Sequence, residues 1–370
     1  MSNEGAGRGL FRLLTDALAV GAAARDVVLD RLPQAARSIA LYDGFGAAGR
    51  VLVMGRALRD TPIAAASAGN SKLENLWAMV RRADADAIPN TAVRVSVGTD
   101  SQELITDDEG FFTGWMAGAQ PERLDDDWIR VRAELVADQS VRAEARALVP
   151  VSMPEFLVIS DIDDTVLQSN VTNFLRAVQT MALGNARTRL PFPGVAEFYQ
   201  ALRRGPTGTG RNPMFYVSSS PWNLHDLIAQ FLEIHTIPAG PIMLRDMDLG
   251  LDTLSQRHHH THKREMIRRV LAAYPDVPAV LIGDSSQQDA EIYRDVVRQY
   301  KGRIKAVYIR NVAKDAERSR VIEQLAHEVV AAGSTLLLAD DTLAAAIHAA
   351  EHGLIAPDAL GVISESKGGA

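Results

Sequence analysis

Residues 154–352 repeat one pattern: a short apolar run, then a longer stretch with helical spacing. The apolar runs are 156–159, 214–217, 279–282, 304–309 and 335–338. Around them, 195–203, 224–234, 263–273, 289–300, 319–331 and 343–352 read as helices. Strands apolar on both sides must be covered on both sides. The pattern therefore predicts an α/β domain, a Rossmann-like doubly wound parallel sheet between two helical layers. Such sheets bind ligands at the carboxyl ends of their strands. The residues that follow each apolar run are thus where chemistry is expected.

Residues 35–150 obey a different rule. Short runs at 38–42, 49–54, 91–97, 102–106, 111–115, 127–135 and 141–145 alternate or sit beside turn residues. Closely spaced strands of this kind predict a β-sandwich-like domain. A helix is expected to interrupt it at 72–82. The region carries no catalytic constellation and reads as a scaffold or interaction domain. A proline-containing linker near Pro150 and Pro154 separates the two patterns.

Composition narrows the function. With 47% hydrophobic and 23% charged residues the chain can build cores. A net charge of -7 argues against a surface devoted to nucleic acid. The absence of cysteine excludes disulfides, thiolate zinc sites and cysteine nucleophiles. No apolar run is long enough for a membrane span. Residues 1–34 are expected to hold an amphipathic helix with Leu10, Phe11, Leu14 and Leu18 on one face. That face suits docking on the protein's own core or on a membrane surface. Asp16 interrupts what would be a signal peptide's apolar region, so an unprocessed, cytoplasmic chain is expected, with peripheral membrane contact as an option.

The first strand runs into Asp161, Asp163, Asp164 and Thr165. Carboxylates this close repel unless a proton or cation relieves them, and a hard divalent ion with oxygen ligands is the natural relief. An Asp-rich turn or helix cap is the plainer alternative. The second strand ends in Ser218, Ser219 and Ser220, hydroxyls suited to phosphate oxygens. Another ends in Gly283, Asp284, Ser285 and Ser286, with Asp289 beyond, where glycine permits close backbone approach and Asp284 supplies a further metal carboxylate. Lys263 opens a helix between them, a point charge suited to a phosphoryl oxygen or a carboxylate. Only six of the 39 basic residues are lysine, and Lys263 stands alone between Lys72 and Lys301.

This order of motifs resembles the haloacid dehalogenase phosphohydrolases. The fuller form is Asp161-Ile162-Asp163-Asp164-Thr165-Val166, Tyr216-Val217-Ser218-Ser219-Ser220-Pro221-Trp222-Asn223, His262-Lys263-Arg264 and Leu281-Ile282-Gly283-Asp284-Ser285. It is similar to the catalytic domain of the actin-patch-protein type of phosphatidate phosphatase, a family related to the lipin lipid phosphatases and rich in uncharacterised bacterial members. The resemblance covers roughly residues 150–360, and residues 35–150 resemble, more weakly, the domain that commonly precedes it. It implies a haloacid dehalogenase-like fold over 151–362 with a small cap insert at 167–193, and a disordered tail at 363–370. It also implies a Mg²⁺-dependent phosphatase with an aspartyl-phosphate intermediate. Asp161 is then the nucleophile and Asp163 the general acid and base, with Thr165 orienting the loop. Ser218, Ser219 and Lys263 bind the phosphoryl group. Asp161, the backbone carbonyl of Asp163 and Asp284 hold Mg²⁺. Asp289 follows Asp284 by five residues where relatives often use four, so its place among the ligands is open.

The implied substrate is phosphatidate or a related lipid phosphate. A soluble phosphate monoester, a phosphoprotein, or a non-catalytic phospholipid-binding role are the alternatives; the last is disfavoured by the presence of both Asp161 and Asp163. Val171, Phe174, Leu175, Val178 and Met181 form a helical stripe that suits either the core or an apolar lid. Trp222 could face core or membrane. His258, His259, His260 and His262 read as a loop, open to a zinc site, to steering of anionic substrate, or to no role.

Overall fold

The computed structural model describes residues 37–47, 49–59, 86–163, 165–166, 191–245, 256–312 and 315–368. The expected N-terminal helix, the helix at 72–82, the apolar stripe at 171–181 and Asp164 lie outside them.

The first half is built of strands β1 (Arg37–Ala47), β2 (Arg50–Arg59), β3 (Asp86–Ala87), β4 (Ala92–Val97), β5 (Asp100–Ile105), β6 (Phe111–Ala117), β7 (Trp128–Leu135) and β8 (Asp138–Leu148). Each of the seven expected runs falls on a strand, four of them overrunning it by one residue. Alternation explains them: in β4, Val93, Val95 and Val97 are buried while Arg94 and Ser96 are not. The pairing corrects the sandwich-like expectation. All eight strands form one hydrogen-bonded sheet, in the order β3-β2-β1-β8-β7-β4-β5, with β6 paired to β2. The sheet curls until Leu104 of β5 packs over Gly114 of β6. Its inner face encloses a core of Ile39, Val51, Val53, Val93, Val95, Phe112, Ile129, Val131 and their neighbours. Curling lets one sheet cover its own apolar face.

The second half holds six parallel strands, β9 (Leu157–Ser160), β10 (Met214–Pro221), β11 (Ile242–Arg245), β12 (Ala279–Asp284), β13 (Ile304–Arg310) and β14 (Leu336–Ala339). Seven helices are described: α1 (Val195–Arg204), α2 (His225–Ile234), α3 (Gln256–Ala273), α4 (Asp289–Gln299), α5 (Ala316–Ala331), α6 (Thr342–Glu351) and α7 (Ala359–Gly368). The sheet order is β11-β10-β9-β12-β13-β14. The chain therefore winds outward one way from β9, then returns and winds the other way from β12. β9 and β12 are buried along their whole length, as the apolar runs require.

Three details differ from expectation. β11 had no counterpart in the sequence reading. α3 begins at Gln256, so the histidine cluster lies in a helix and not in a loop. Residues 363–368, expected within a disordered tail, are helical, and buried Ile363 anchors them beside Gly194 at the start of α1. Packing of one apolar residue supplies the tertiary support that a short polar helix lacks on its own.

The halves share a core. Tyr42, Phe45, Leu52, Met54, Trp128 and Leu148 join the hydrophobic cluster of the α/β half. The Tyr274 hydroxyl donates to the carbonyls of Gly46 (2.9 Å) and Leu148 (3.2 Å), and Arg203 pairs with buried Asp127 at 2.7 Å.

Candidate active site

Strand β9 is the hinge of the site, because the sheet order reverses between it and β12. A crevice opens outside the carboxyl ends of strands at such a reversal. Asp161 follows β9 directly and is fully buried. Its backbone N–H donates to the Ile282 carbonyl of β12, tying the loop to the neighbouring strand. Ser160 turns the other way, with its hydroxyl 2.7 Å from the Tyr199 hydroxyl of α1.

The Asp161 carboxylate is held at both oxygens. Thr165 donates to Oδ2 at 3.1 Å, and Lys263 Nζ lies 2.9 Å from Oδ1. Lys263 reaches the site from α3 and also donates to Asp289 Oδ1 at 2.5 Å. Asp289 opens α4, and its Oδ2 accepts the Asp284 N–H at 3.2 Å. Gly283 makes that approach possible, since a Cβ there would sit 2.4 Å from Asp289 Oδ2. Asp284 ends β12. Its Oδ1 accepts from Ser286 N (2.6 Å), Ser286 Oγ (2.5 Å) and Gln287 N (3.1 Å), whereas its Oδ2 is buried without a hydrogen-bond partner.

Three buried carboxylates, Asp161, Asp284 and Asp289, thus offer oxygens within 4.8 Å of one another. One ammonium faces them. Burial, with lesser pushes from Asp289, Asp284 and Asp163, lifts the Asp161 carboxyl well above the ordinary carboxylate range despite the opposing pull of Lys263. Asp284 is pushed up to about 6, by burial first and by Asp289 second. Burial works against the Lys263 ammonium, but Asp161 and Asp289 outweigh it and raise its pKa. The cluster carries more negative charge than Lys263 cancels. A proton or a cation must supply the rest. The orphaned oxygen of Asp284 and the all-oxygen donor set fit a hard divalent cation.

Asp163 lies on the other flank. Its Oδ2 accepts from Ser218 Oγ (2.6 Å) and Ser220 Oγ (3.0 Å), and Ser220 N donates to Ser218 Oγ at 2.9 Å. Their shared contact with Asp163 puts Ser218 and Ser220 on one side of the β10 end, where pairing with β11 is irregular between Val217 and Pro221. Of the three strand-end serines, Ser218 and Ser220 join the constellation, whereas the resemblance assigns the phosphoryl group to Ser218 and Ser219. Asp161, Asp163, Thr165, Lys263, Asp284 and Asp289 all converge, and the five-residue interval of Asp289 does not keep it from the cluster. Trp222, left open between core and membrane, is buried against Tyr42 of β1.

Residues 156–311 match the family model described as Phosphatidate phosphatase APP1, catalytic domain. That segment is similar to the APP1 catalytic domain. It contains every residue of the carboxylate cluster, Lys263 and both serines. Over 230 residues the chain is 25% identical to Phosphatidate phosphatase APP1 of Saccharomyces cerevisiae, covering 60% of this chain and 38% of that protein. Over 161 residues it is 30% identical to an uncharacterized protein of Schizosaccharomyces pombe, covering 43% of this chain and 25% of that one. The chain thus spans well under half the length of either relative. Among solved structures, a carbohydrate acetylesterase from Xanthomonas citri aligns over 79% of this chain and 74% of its own at 11% identity and a TM-score of 0.27, too slight a likeness to inform the fold.

Proposed function

We propose that the α/β half is a Mg²⁺-dependent phosphatase with a haloacid dehalogenase-like, Rossmann-like doubly wound fold, acting on phosphatidate or a related lipid phosphate. The observation that carries this reading is the buried Asp161, gripped by Thr165 and Lys263 at the strand reversal of an APP1-type domain. Counting within the sheet, the strand order is 3-2-1-4-5-6, the doubly wound order, which supports the fold assignment.

The Asp161 carboxylate attacks phosphorus as the bond to the leaving alkoxide breaks, and the Asp163 carboxyl gives that alkoxide its proton. The product is an acyl phosphate on Asp161. A water then attacks phosphorus, Asp163 takes the proton from that water, and the bond between phosphorus and the Asp161 oxygen breaks. Inorganic phosphate leaves and both carboxyls return to their starting states. Ser218 and Ser220 keep Asp163 aimed through both steps, and a hydroxyl can turn its proton to a phosphoryl oxygen when substrate is present. Lys263 steadies Asp161 and places positive charge where the phosphoryl oxygens gather. Mg²⁺ bound by Asp161, Asp284, Asp289 and the Asp163 carbonyl would lower the repulsion between carboxylate and phosphate dianion.

The lipid substrate rests on the name of the yeast relative. Among the described residues no helix is long and apolar enough to cross a membrane, so the enzyme is read as meeting lipid from outside, as a peripheral protein. Phosphate release from phosphatidate in mixed micelles with Mg²⁺ is expected for the wild type and not for Asp161→Asn. Equal release by both would sink the mechanism. Faster turnover of soluble monoesters than of lipid would replace the substrate class, and lipid binding without turnover would make the domain a lipid-binding module.

A further inference from the structure

Strand β10 carries Ser218 and Ser220, the two hydroxyls on Asp163. The β domain touches this strand at both ends through β1, and Phe111 of β6 adds a tilted contact to Trp222 at 6.1 Å. At the start of β10, Phe45 packs edge-on against Phe215 at 5.4 Å between ring centroids. At its end, Tyr42 stacks on Trp222 at 4.4 Å with 29° between the ring planes. Trp222 is two residues beyond Ser220, and the intervening Pro221 has a fixed φ that stiffens the link.

A regular strand cannot present Tyr42 and Phe45 on one face, because residues three apart point opposite ways. β1 solves this with a bulge. Tyr42 pairs with Met54 and Phe45 with Leu52, so two residues, Asp43 and Gly44, stand opposite Val53 alone. Gly44 is required there, since a Cβ would sit 2.1 Å from the Leu52 carbonyl oxygen. Asp43 pins the bulge by accepting from Arg146 N (3.0 Å) and Arg146 Nη2 (2.7 Å). Both aromatic rings then enter the core shared with the α/β half.

We propose that β1 clamps β10 at both ends, and that Tyr42, a residue of the β domain, is a positioning residue for Asp163. It acts through Trp222 and the serines, and touches neither substrate nor Asp163. The β domain is then part of the catalytic apparatus. This inference rests on the phosphatase reading for its kinetic consequence, but its structural consequence can be read without activity.

The experiment uses the full chain with Tyr42→Ala, Tyr42→Leu and Tyr42→Phe. Tyr274→Phe serves as control, because it removes interdomain hydrogen bonds away from the serines. Hydrogen exchange is followed over residues 218–222. Tyr42→Ala and Tyr42→Leu are expected to speed exchange there, while Tyr42→Phe, which keeps the ring, and Tyr274→Phe leave it near the wild-type rate. In phosphate release, losing the aromatic ring is expected to lower kcat by about 10- to 100-fold, the scale of a misaimed catalytic group. Adding Asp163→Asn to Tyr42→Leu should cost nothing beyond Asp163→Asn alone. Unchanged exchange in the Ala and Leu variants would overturn the clamp. Additive losses with Asp163→Asn would overturn the positioning role, since a purely structural defect adds. If the wild type releases no phosphate from any ester, the phosphatase reading fails instead, and exchange alone decides the clamp.

Discussion

The two halves of this molecule handle charge in opposite ways. On the outer face of the β domain, Arg94, Arg130 and Arg132 interleave with Glu103, Glu122, Glu134 and Glu144, all at least 30% exposed. Water solvates each group whether or not its partner is present. In the α/β half, Asp161, Lys263, Asp284 and Asp289 are stripped of water and depend on one another. Buried charge is costly unless matched, and here carboxylates outnumber ammonium. A fold gains little stability from such an arrangement. Its presence at a strand reversal is best understood as a site kept for chemistry.

The largest effect that tests this contrast is on turnover. Asp161→Asn removes the proposed nucleophile and one charge from an over-negative cluster. Activity should fall by about 10³-fold or more, while the melting temperature of the cation-free protein stays level or rises. A variant that melts earlier would mean that the buried carboxylate stabilises the fold, and would erase the contrast between the halves.

Next in size is the loss of the matching cation. Lys263→Met leaves Asp161 and Asp289 buried without their ammonium, at a cost of about 3–5 kcal/mol. The loss should be greatest at about pH 8, where burying the Asp161 carboxyl costs most, and smaller at about pH 5, where it can take up a proton. Urea unfolding at the two pH values checks this. Lys263→Arg should fold but lose most activity, because a forked guanidinium does not fit a slot 1% exposed between two carboxylates.

A subtler change moves one carboxylate. Gly283→Ala would drive a Cβ to within 2.4 Å of Asp289 Oδ2 and push that side chain away from Asp284. Mg²⁺ affinity, read by thermal shift titration, should weaken by about 10- to 100-fold, with secondary structure intact.

Much of this site was legible before any fold was known. Buried parallel strands must be apolar throughout, so β9, β10, β12, β13 and β14 announced themselves, and with them the strand-end residues Asp161, Ser218 and Asp284. What stayed hidden has physical causes. β11 is four residues long and follows Pro241, too short for a periodic signal. The start of α3 is rich in histidine, which has weak helix propensity. Ser220 stands beside Ser218 and Ser219 in the sequence, but its bond to Asp163 shows only in the fold. The contact between Tyr42 and Trp222 depends on a bulge that inserts one extra residue into β1, and no alternation pattern encodes that. Curling of the β-domain sheet was equally hidden, since a sandwich and a curled sheet share the same alternating strands.

The pH dependence of cation binding separates the halves further. Asp284 sits at about 6, above its ordinary value of 3.8. The cation-free fold therefore holds that proton more tightly than the unfolded chain does. By this group alone, its stability falls as pH rises through the window between those two values, and is level above it. The proposed Mg²⁺ would compete with the same proton. The rise in melting temperature on adding Mg²⁺ should be small at about pH 5 and reach a plateau above about pH 7. A Mg²⁺ effect independent of pH would remove Asp284 from the proposed ligands.

The smallest effect belongs to the surface. Arg132 pairs with Glu122 at 2.6 Å and with Glu144 at 3.0 Å, and half of its side chain is exposed. Removing it by Arg132→Gln breaks two ion pairs, as many as Lys263 makes at the active site. Yet both glutamates return to water and to Arg130, which also pairs with each of them. Exposed pairs contribute little and are screened by salt. The variant should keep wild-type turnover and show a slight fall in melting temperature at low ionic strength, vanishing in molar salt. A loss of activity would mean that the charged rows reach the α/β half, and the two regions could no longer be read as opposite solutions.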